Sequence, residues 1–367
     1  GSAFGIPIQL DLTFLLVLPL FAWLIGGQVG QSVELMNDFW GAGIDGATLS
    51  SGQLPWLLGI AAALGLFACV VLHELGHSVV AMRFGFPISS ITLWLFGGIA
   101  QLDEMPENWK QELLIAIAGP VVSLALAGIT YAGFWLVPTG DAVGIASVKF
   151  LLGYLALMNV ALAIFNMLPG FPMDGGRVLR ALLARNRPYA RATQIAAEVG
   201  KLFALLLGLF GLFGGGLFLV AIAFFIYIGA SSESQMTTMK AAFEGVTVRD
   251  VMTTADRVQS VDPELSVAEL MELMFRERHT GFPVVDNGEV VGLVTLEDAR
   301  AVREIERDAF RTEEVMTTDL QTIHPEENAM TALTRMQENA IGRLLVMEGD
   351  EFVGHQRRRI PVDRDDG

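Results

Sequence analysis

Apolar residues crowd the stretch 1–232 in long runs, after which the pattern breaks into short alternating and amphipathic pieces. A helix needs roughly 20 predominantly apolar residues to cross a bilayer. By that measure the first half predicts spans over about 8–27, 54–84, 109–137, 147–185, 192–212 and 215–231. The fourth run is interrupted between Asn166 and Pro172, where Pro169, Gly170 and Pro172 cannot continue a regular helix. Between the second and third spans, Ile88 to Leu102 alternates imperfectly and is rich in β-formers. It predicts a hairpin turning at Gly97-Gly98. Sheet at membrane depth is tolerated only when buried in protein or facing a wet cavity.

The second half repeats itself. Asp250-Val251-Met252-Thr253-Thr254 recurs as Glu314-Val315-Met316-Thr317-Thr318, an offset of 64. Each copy continues through a Pro-Glu pair, an amphipathic helix and an apolar strand-like run. The expected organisation is an α-helical polytopic membrane domain over 3–232, with about six transmembrane helices and a membrane-associated β-hairpin. A linker over 233–245 leads to an α/β tandem-repeat domain over 246–367. Its copies lie at about 246–305 and 311–358, the second incomplete. The terminal run from Arg357 to Arg359 and the stretch Asp363 to Asp366 depart from the repeat and carry no assigned role.

Composition sharpens this division. The chain is 52% hydrophobic with mean hydropathy +0.49, too apolar for a soluble enzyme of 367 residues. Residues 1–232 hold 12 acids against 9 bases and the remainder 28 against 15, so the net charge of −16 divides into −3 and −13. An acidic soluble domain therefore follows a membrane domain, and no basic tract points to nucleic acid. The single cysteine, Cys69, excludes an intramolecular disulfide framework. Segment 28–53 lacks Lys and Arg and reads as external. Arg83, Lys110 and the cluster Arg177, Arg180, Arg185, Arg187 and Arg191 mark cytoplasmic ends. Six spans of a plasma-membrane protein, with both termini and the acidic domain inside, satisfy every assignment.

Chemistry enters at His73-Glu74-Leu75-Gly76-His77, inside the second span. Imidazoles four residues apart share a helix face and can hold one zinc ion, while the adjacent Glu can take a proton from water. Ionisable groups at membrane depth are costly and mark function. A catalytic zinc needs a third protein ligand, and the other three His lie in the soluble half. Among the membrane carboxylates Asp11, Glu198 and Asp174, the last is best placed, toward the same membrane side as the two His. Asp174 also reads as an N-cap for a helix beginning near Gly175.

His73-Glu-Leu-Gly-His77 together with Asn166-Met-Leu-Pro169-Gly-Phe-Pro-Met-Asp174-Gly175 resembles the HExxH and NxxPxxxxDG pair of the site-2 proteases, the intramembrane zinc metalloproteases. The resemblance implies that His73, His77 and Asp174 bind one zinc, that Glu74 is the general base, and that Asn166 hydrogen-bonds the substrate or its oxyanion. An alternative role for Asn166 is to satisfy backbone groups freed by the helix break. The resemblance extends to Gly98-Ile99-Ala100. In that family such a hairpin, here Gly97, Gly98, Ile99 and Ala100, aligns an extended substrate along a strand edge; a surface hairpin without that role is the alternative. The repeated half resembles a tandem CBS pair, which implies an adenine nucleotide such as ATP, with Thr295 and Asp298 as the ribose contact, or a homodimer through the pair. The second copy lacks that element. The implied partners are a single-span membrane protein as substrate and the lipid bilayer. The competing function is a CBS-regulated metal or ion transporter using the His/Asp cluster as its cargo site.

Overall fold

The computed structural model describes residues 1–94, 97–102, 106, 108–140, 142–214, 216–349 and 351–357. The terminal stretch 358–367, which includes most of the basic and acidic tail, lies outside the described residues. The chain divides into two compact units, Gly1–Thr238 and Met239–Gly367.

The first unit opens with strands β1 (Ser2–Ala3) and β2 (Ile6–Leu10), followed by helices α1 (Phe14–Gly27), α2 (Val29–Trp40), α3 (Gly46–Leu49) and α4 (Leu54–Arg83). Strands β3 (Ile88–Trp94) and β4 (Gly97–Leu102) come next, then α5 (Trp109–Leu136), α6 (Val143–Asn166), α7 (Asp174–Ala184), α8 (Tyr189–Phe213) and α9 (Leu217–Ala242). Among the described residues, five helices are long and apolar enough to cross a membrane: α4, α5, α6, α8 and α9. Counting α1 and α2 as one span bent by 58° makes six. Large apolar side chains such as Leu136, Phe213 and Leu217 stand more than four-fifths exposed, as lipid-facing residues do.

Several boundaries depart from the sequence expectation. The first run begins as a strand, because Ile8, Gln9 and Leu10 pair in parallel with Ile91, Thr92 and Leu93. The segment expected as an external loop contains α2 and the short α3, α3 capped by Asp45, whose side chain accepts from the Ala47 amide. The fourth run is two helices, α6 and α7, and the stretch 233–242 of the expected linker continues α9. The hairpin is present but belongs to a four-stranded sheet of order β1-β2-β3-β4. Gly97 and Gly98 are not its turn: they sit within β4, opposite Trp94 and Leu93.

The sheet lies against α4. Ile6 and Ile91 bury with Leu75 of α4, and Leu93 buries with Phe14, Val17 and Phe67. Thus α4 offers Leu75 to the sheet while its imidazoles face elsewhere. Glycine permits the tight crossings. A Cβ on Gly59 would come 2.2 Å from the Ala22 carbonyl oxygen of α1, and one on Gly76 would come 3.0 Å from the Ala118 carbonyl oxygen of α5. Small residues that let backbones approach are the usual means of packing helices in lipid.

The second unit contains α10 (Val248–Val251), β5 (Thr253–Thr254), α11 (Val267–Glu277), β6 (Gly281–Asp286), β7 (Glu289–Thr295) and α12 (Leu296–Ala301). The second copy adds α13 (Thr312–Val315), β8 (Thr322–Ile323), α14 (Ala329–Glu338), β9 (Arg343–Glu348) and β10 (Glu351–Arg357). One sheet runs β5-β10-β9-β8 and another pairs β6 with β7. The repeated acid has a local purpose. Asp250 and Glu314 both occupy the third position of a short helix and reach back to the backbone amides of Thr247 and Arg311. The copies also exchange backbone bonds: the Arg249 amide donates to the Pro325 carbonyl and the Glu313 amide to the Pro263 carbonyl.

Candidate metal centre

Helix α4 carries His73 and His77 on one face, both almost fully buried at 2% and 4% exposure. Glu74 lies between them in the same turn and is half-buried. Asp174 reaches the imidazoles from α7. Its Oδ2 is 3.1 Å from His73 Nε2 and 3.2 Å from His77 Nε2, and the two Nε2 atoms are 3.2 Å apart. The N-cap of α7 is Met173, not Asp174, so the carboxylate serves the imidazoles instead of capping the helix. Its place in the first turn still suits a negative charge, because unpaired amides there point toward it.

The break between α6 and α7 makes this position reachable. After Asn166 the chain doubles back over Met167–Met173, and the first turn of α7 packs directly on that backbone. A Cβ on Gly175 would lie 2.2 Å from the Leu168 carbonyl oxygen, and one on Gly176 would lie 2.5 Å from the Phe171 amide nitrogen. The Gly-Gly pair after Asp174 is therefore a steric requirement of the fold-back.

Helix α5 supplies the remaining support. Gly119 faces the imidazoles so closely that a Cβ there would stand 2.2 Å from His77 Nε2 and 2.7 Å from His73 Nε2. His77 Nδ1 is 2.7 Å from the Ile115 carbonyl oxygen, and His73 Nδ1 is 2.8 Å from Ser123 Oγ. A carbonyl only accepts, so His77 carries its proton on Nδ1 and presents a lone pair at Nε2. In the neutral ring that lone pair faces the Asp174 carboxylate, an acceptor against an acceptor, and a shared metal ion or a proton on Nε2 relieves the arrangement. Ligand atoms at about 2.0–2.1 Å from a tetrahedral zinc stand roughly 3.3 Å apart, and the observed separations of 3.1–3.2 Å fit that figure. The three residues form a group able to hold a metal ion.

The other acids considered for the third ligand go elsewhere. Asp11 accepts from the amide and hydroxyl of Thr13, and Glu198 is largely exposed beside Lys201. Asn166 ends α6, and its Nδ2 donates to the Leu162 carbonyl at 3.1 Å, which leaves its second Nδ2 hydrogen uncommitted to that bond. The Gly97–Ala100 backbone forms part of β4, which pairs with β3 and is the edge strand of that sheet among the described residues. In the second unit, Thr295 and Asp298 satisfy each other: Asp298 Oδ2 accepts from the Thr295 amide at 2.8 Å and hydroxyl at 2.7 Å, a capping box for α12. Asp298 borders a shallow depression of about 350 Å³. A larger cavity of about 470 Å³ is lined elsewhere in this unit, by Arg257, Gln259, His279, Arg343 and His355 among apolar residues.

The sequence pattern does not single out Ile115 or Ser123 as supports, nor the buried pair Glu112–Arg180, whereas Ala118-Gly119-Pro120 reads from it as a close-packing or kink element. The Ile115 contribution is a backbone atom and leaves no sequence signal. Glu112 did leave one, as a carboxylate within an apolar span.

The chain matches the family profile of Peptidase family M50 over residues 61–140 and 136–207, and the CBS domain profile over 248–304 and 313–354. It is 33% identical over 351 residues to a zinc metalloprotease of Methanocaldococcus jannaschii, covering 95% of this chain and 90% of that protein. It is 32% identical to the Mycobacterium tuberculosis protein Rip3, named as a zinc metalloprotease, over 96% of this chain and 89% of that protein. Among solved structures, a site-2 protease from M. jannaschii shares 36% identity over 64% of this chain and 93% of its own, with a TM-score of 0.44. The chain belongs to the site-2 protease family of zinc metalloproteases, peptidase family M50, and carries a C-terminal tandem CBS pair.

Proposed function

We propose that this protein hydrolyses peptide bonds of membrane-embedded protein substrates, with a single-span protein as the typical partner. The observation that carries the reading is the convergence of His73, His77 and Asp174 on one point, from helices of a unit whose surface is built for lipid. His73, His77 and Asp174 would hold zinc, which supplies Lewis acidity for activating water and polarising the scissile carbonyl. Glu74 takes the proton of the attacking water and returns it to the leaving amine. The second Nδ2 hydrogen of Asn166 is available to the developing oxyanion. A helical peptide bond is shielded by its own ladder, so the substrate must be extended before attack, and the open edge of β4 at Gly97–Ala100 offers a strand to pair with.

The distribution of Lys and Arg supports an orientation with both termini and the CBS pair on the cytoplasmic side of the plasma membrane. The second unit takes an adenine nucleotide that modulates turnover. The cationic lining of the larger cavity, from Arg257 and Arg343, suits a phosphate-bearing ligand. Pairing of two chains through the CBS units belongs to the same proposal. The decisive experiment uses Glu74→Gln in detergent. It should retain zinc and lose cleavage of a single-span substrate by at least about a hundredfold, the contribution of a general base. Retained cleavage refutes the mechanism, and zinc flux in proteoliposomes without cleavage would indicate transport instead.

A further inference from the structure

Helix α5 meets the metal centre along a single stripe. Glu112, Ile115, Gly119 and Ser123 are spaced by three, four and four residues, which places them on one face. Three of the four act on the imidazoles: Ile115 and Ser123 fix the Nδ1 atoms and Gly119 leaves room for the rings. Glu112, the fourth, points to another helix. Its Oε1 accepts from Arg180 Nε at 2.6 Å, and Arg180 belongs to α7, six residues after Asp174. Arg180 is 1% exposed and also donates to Glu233 of α9. Its guanidinium lies 4.7 Å from the centre of the Phe171 ring, in the fold-back, and 4.8 Å from that of Tyr189, at the start of α8.

Stability does not account for this pair. Buried ion pairs contribute little against apolar replacements, because desolvation offsets their attraction. This one is also imperfectly satisfied, since among the described residues Glu112 Oε2 is buried with no hydrogen-bond partner. What the pair does fix is the position of a short helix. Asp174 approaches the imidazoles from a helix of 11 residues that follows a broken stretch, so its carboxylate is placed only as well as α7 is placed.

We infer that Glu112 and Arg180 are positioning residues for the metal centre: their ion pair docks α7 on the same α5 stripe that orients His73 and His77, and thereby sets Asp174 at ligand distance. One helix face thus aligns all three ligands, two directly and the third through Arg180. The inference rests on the metalloprotease reading and concerns how the site is assembled.

The test measures zinc affinity of the full-length protein by competition with a chromogenic chelator, with zinc alone as the probe. Glu112→Leu/Arg180→Met removes the two fully buried charges together, and Glu233, the remaining partner, keeps a side chain one-third exposed to hydrate its charge. It should unfold near the wild-type temperature in the metal-free state yet bind zinc about 10–100-fold more weakly, the usual loss when an outer-shell partner is removed. Arg180→Lys keeps the charge but not the forked geometry, and should weaken zinc to a smaller extent. In an Asp174→Ala background neither change should weaken zinc further, because the pair acts through Asp174. A purely structural role would lower affinity equally in both backgrounds, which overturns the inference. Unchanged affinity in the double variant, or in Arg180→Lys should the double variant fail to fold, overturns it too. A wild-type chain that takes up no zinc refutes the metalloprotease reading itself, a result distinct from either.

Discussion

Asp174 and Asp298 both lie in the first turn of a helix, and both sit in motifs that a known family uses for ligands. Their surroundings differ. Asp298 is answered locally, by the amide and hydroxyl of Thr295 three residues away. Asp174 receives no such bond from its own helix turn. It meets two imidazoles about a hundred residues distant in sequence, whose far nitrogens are committed to α5. The capping box engages only Oδ2 of Asp298 and leaves its other oxygen outside those two bonds. A buried carboxylate aimed at ring nitrogens from another helix needs a positive partner, a shared metal ion or a protonated imidazole, and lipid surroundings raise the cost of leaving it without one.

That contrast can be broken most directly at Gly119. Replacing it by Ala drives a methyl group against both Nε2 atoms, and the imidazoles, as side-chain ends, can swing away without unfolding the bundle. Gly119→Ala should abolish stoichiometric zinc binding while the melting temperature of the metal-free protein stays near wild type. Metal analysis after gel filtration, with a parallel thermal melt, reads both. Next in size is Ser123→Ala, which removes the Nδ1 partner of His73 and should weaken zinc about 10–100-fold. If affinity is unchanged, Ser123 is packing and not orientation. The smallest effect belongs to the second unit. Thr295→Ala should cost about 1 kcal/mol of that unit's stability, as loss of a cap does, and leave calorimetric ATP binding unaltered, whereas Arg343→Ala weakens that binding. Loss of ATP affinity in Thr295→Ala with none in Arg343→Ala would move the nucleotide to the Thr295–Asp298 side.

The sequence made the ligand set legible because polar residues are scarce in apolar helices. His73, Glu74, His77 and Asp174 stand out there in a way that Thr295 and Asp298, in a polar half, do not. Helix number was legible for the same reason, since length and hydropathy suffice. Two kinds of feature were hidden. The first was anything carried by backbone: the Ile115 carbonyl, the parallel pairing of β2 with β3, and the place of Gly97-Gly98 inside a strand. The second was partnership between distant charges. Nothing in the local pattern of α5 says that Glu112 belongs with Arg180, or that Lys149, buried in α6, lies over the Phe134 ring. The helical continuation of α9 past residue 233 was obscured by its polar composition there, which reads as linker although it forms regular helix.

The backbone exchange between the two CBS copies bears on how the chain is made. The Arg249 amide waits for a carbonyl 76 residues further on, and the Glu313 amide closes on one 50 residues back. Contacts of such separation are slow to form, because loop closure precedes any reward. During synthesis the membrane helices emerge first and can enter the bilayer, while the first CBS copy stays incomplete until the second has left the ribosome. A nascent chain stalled before residue 325 would therefore carry an inserted protease domain and an unfinished CBS unit.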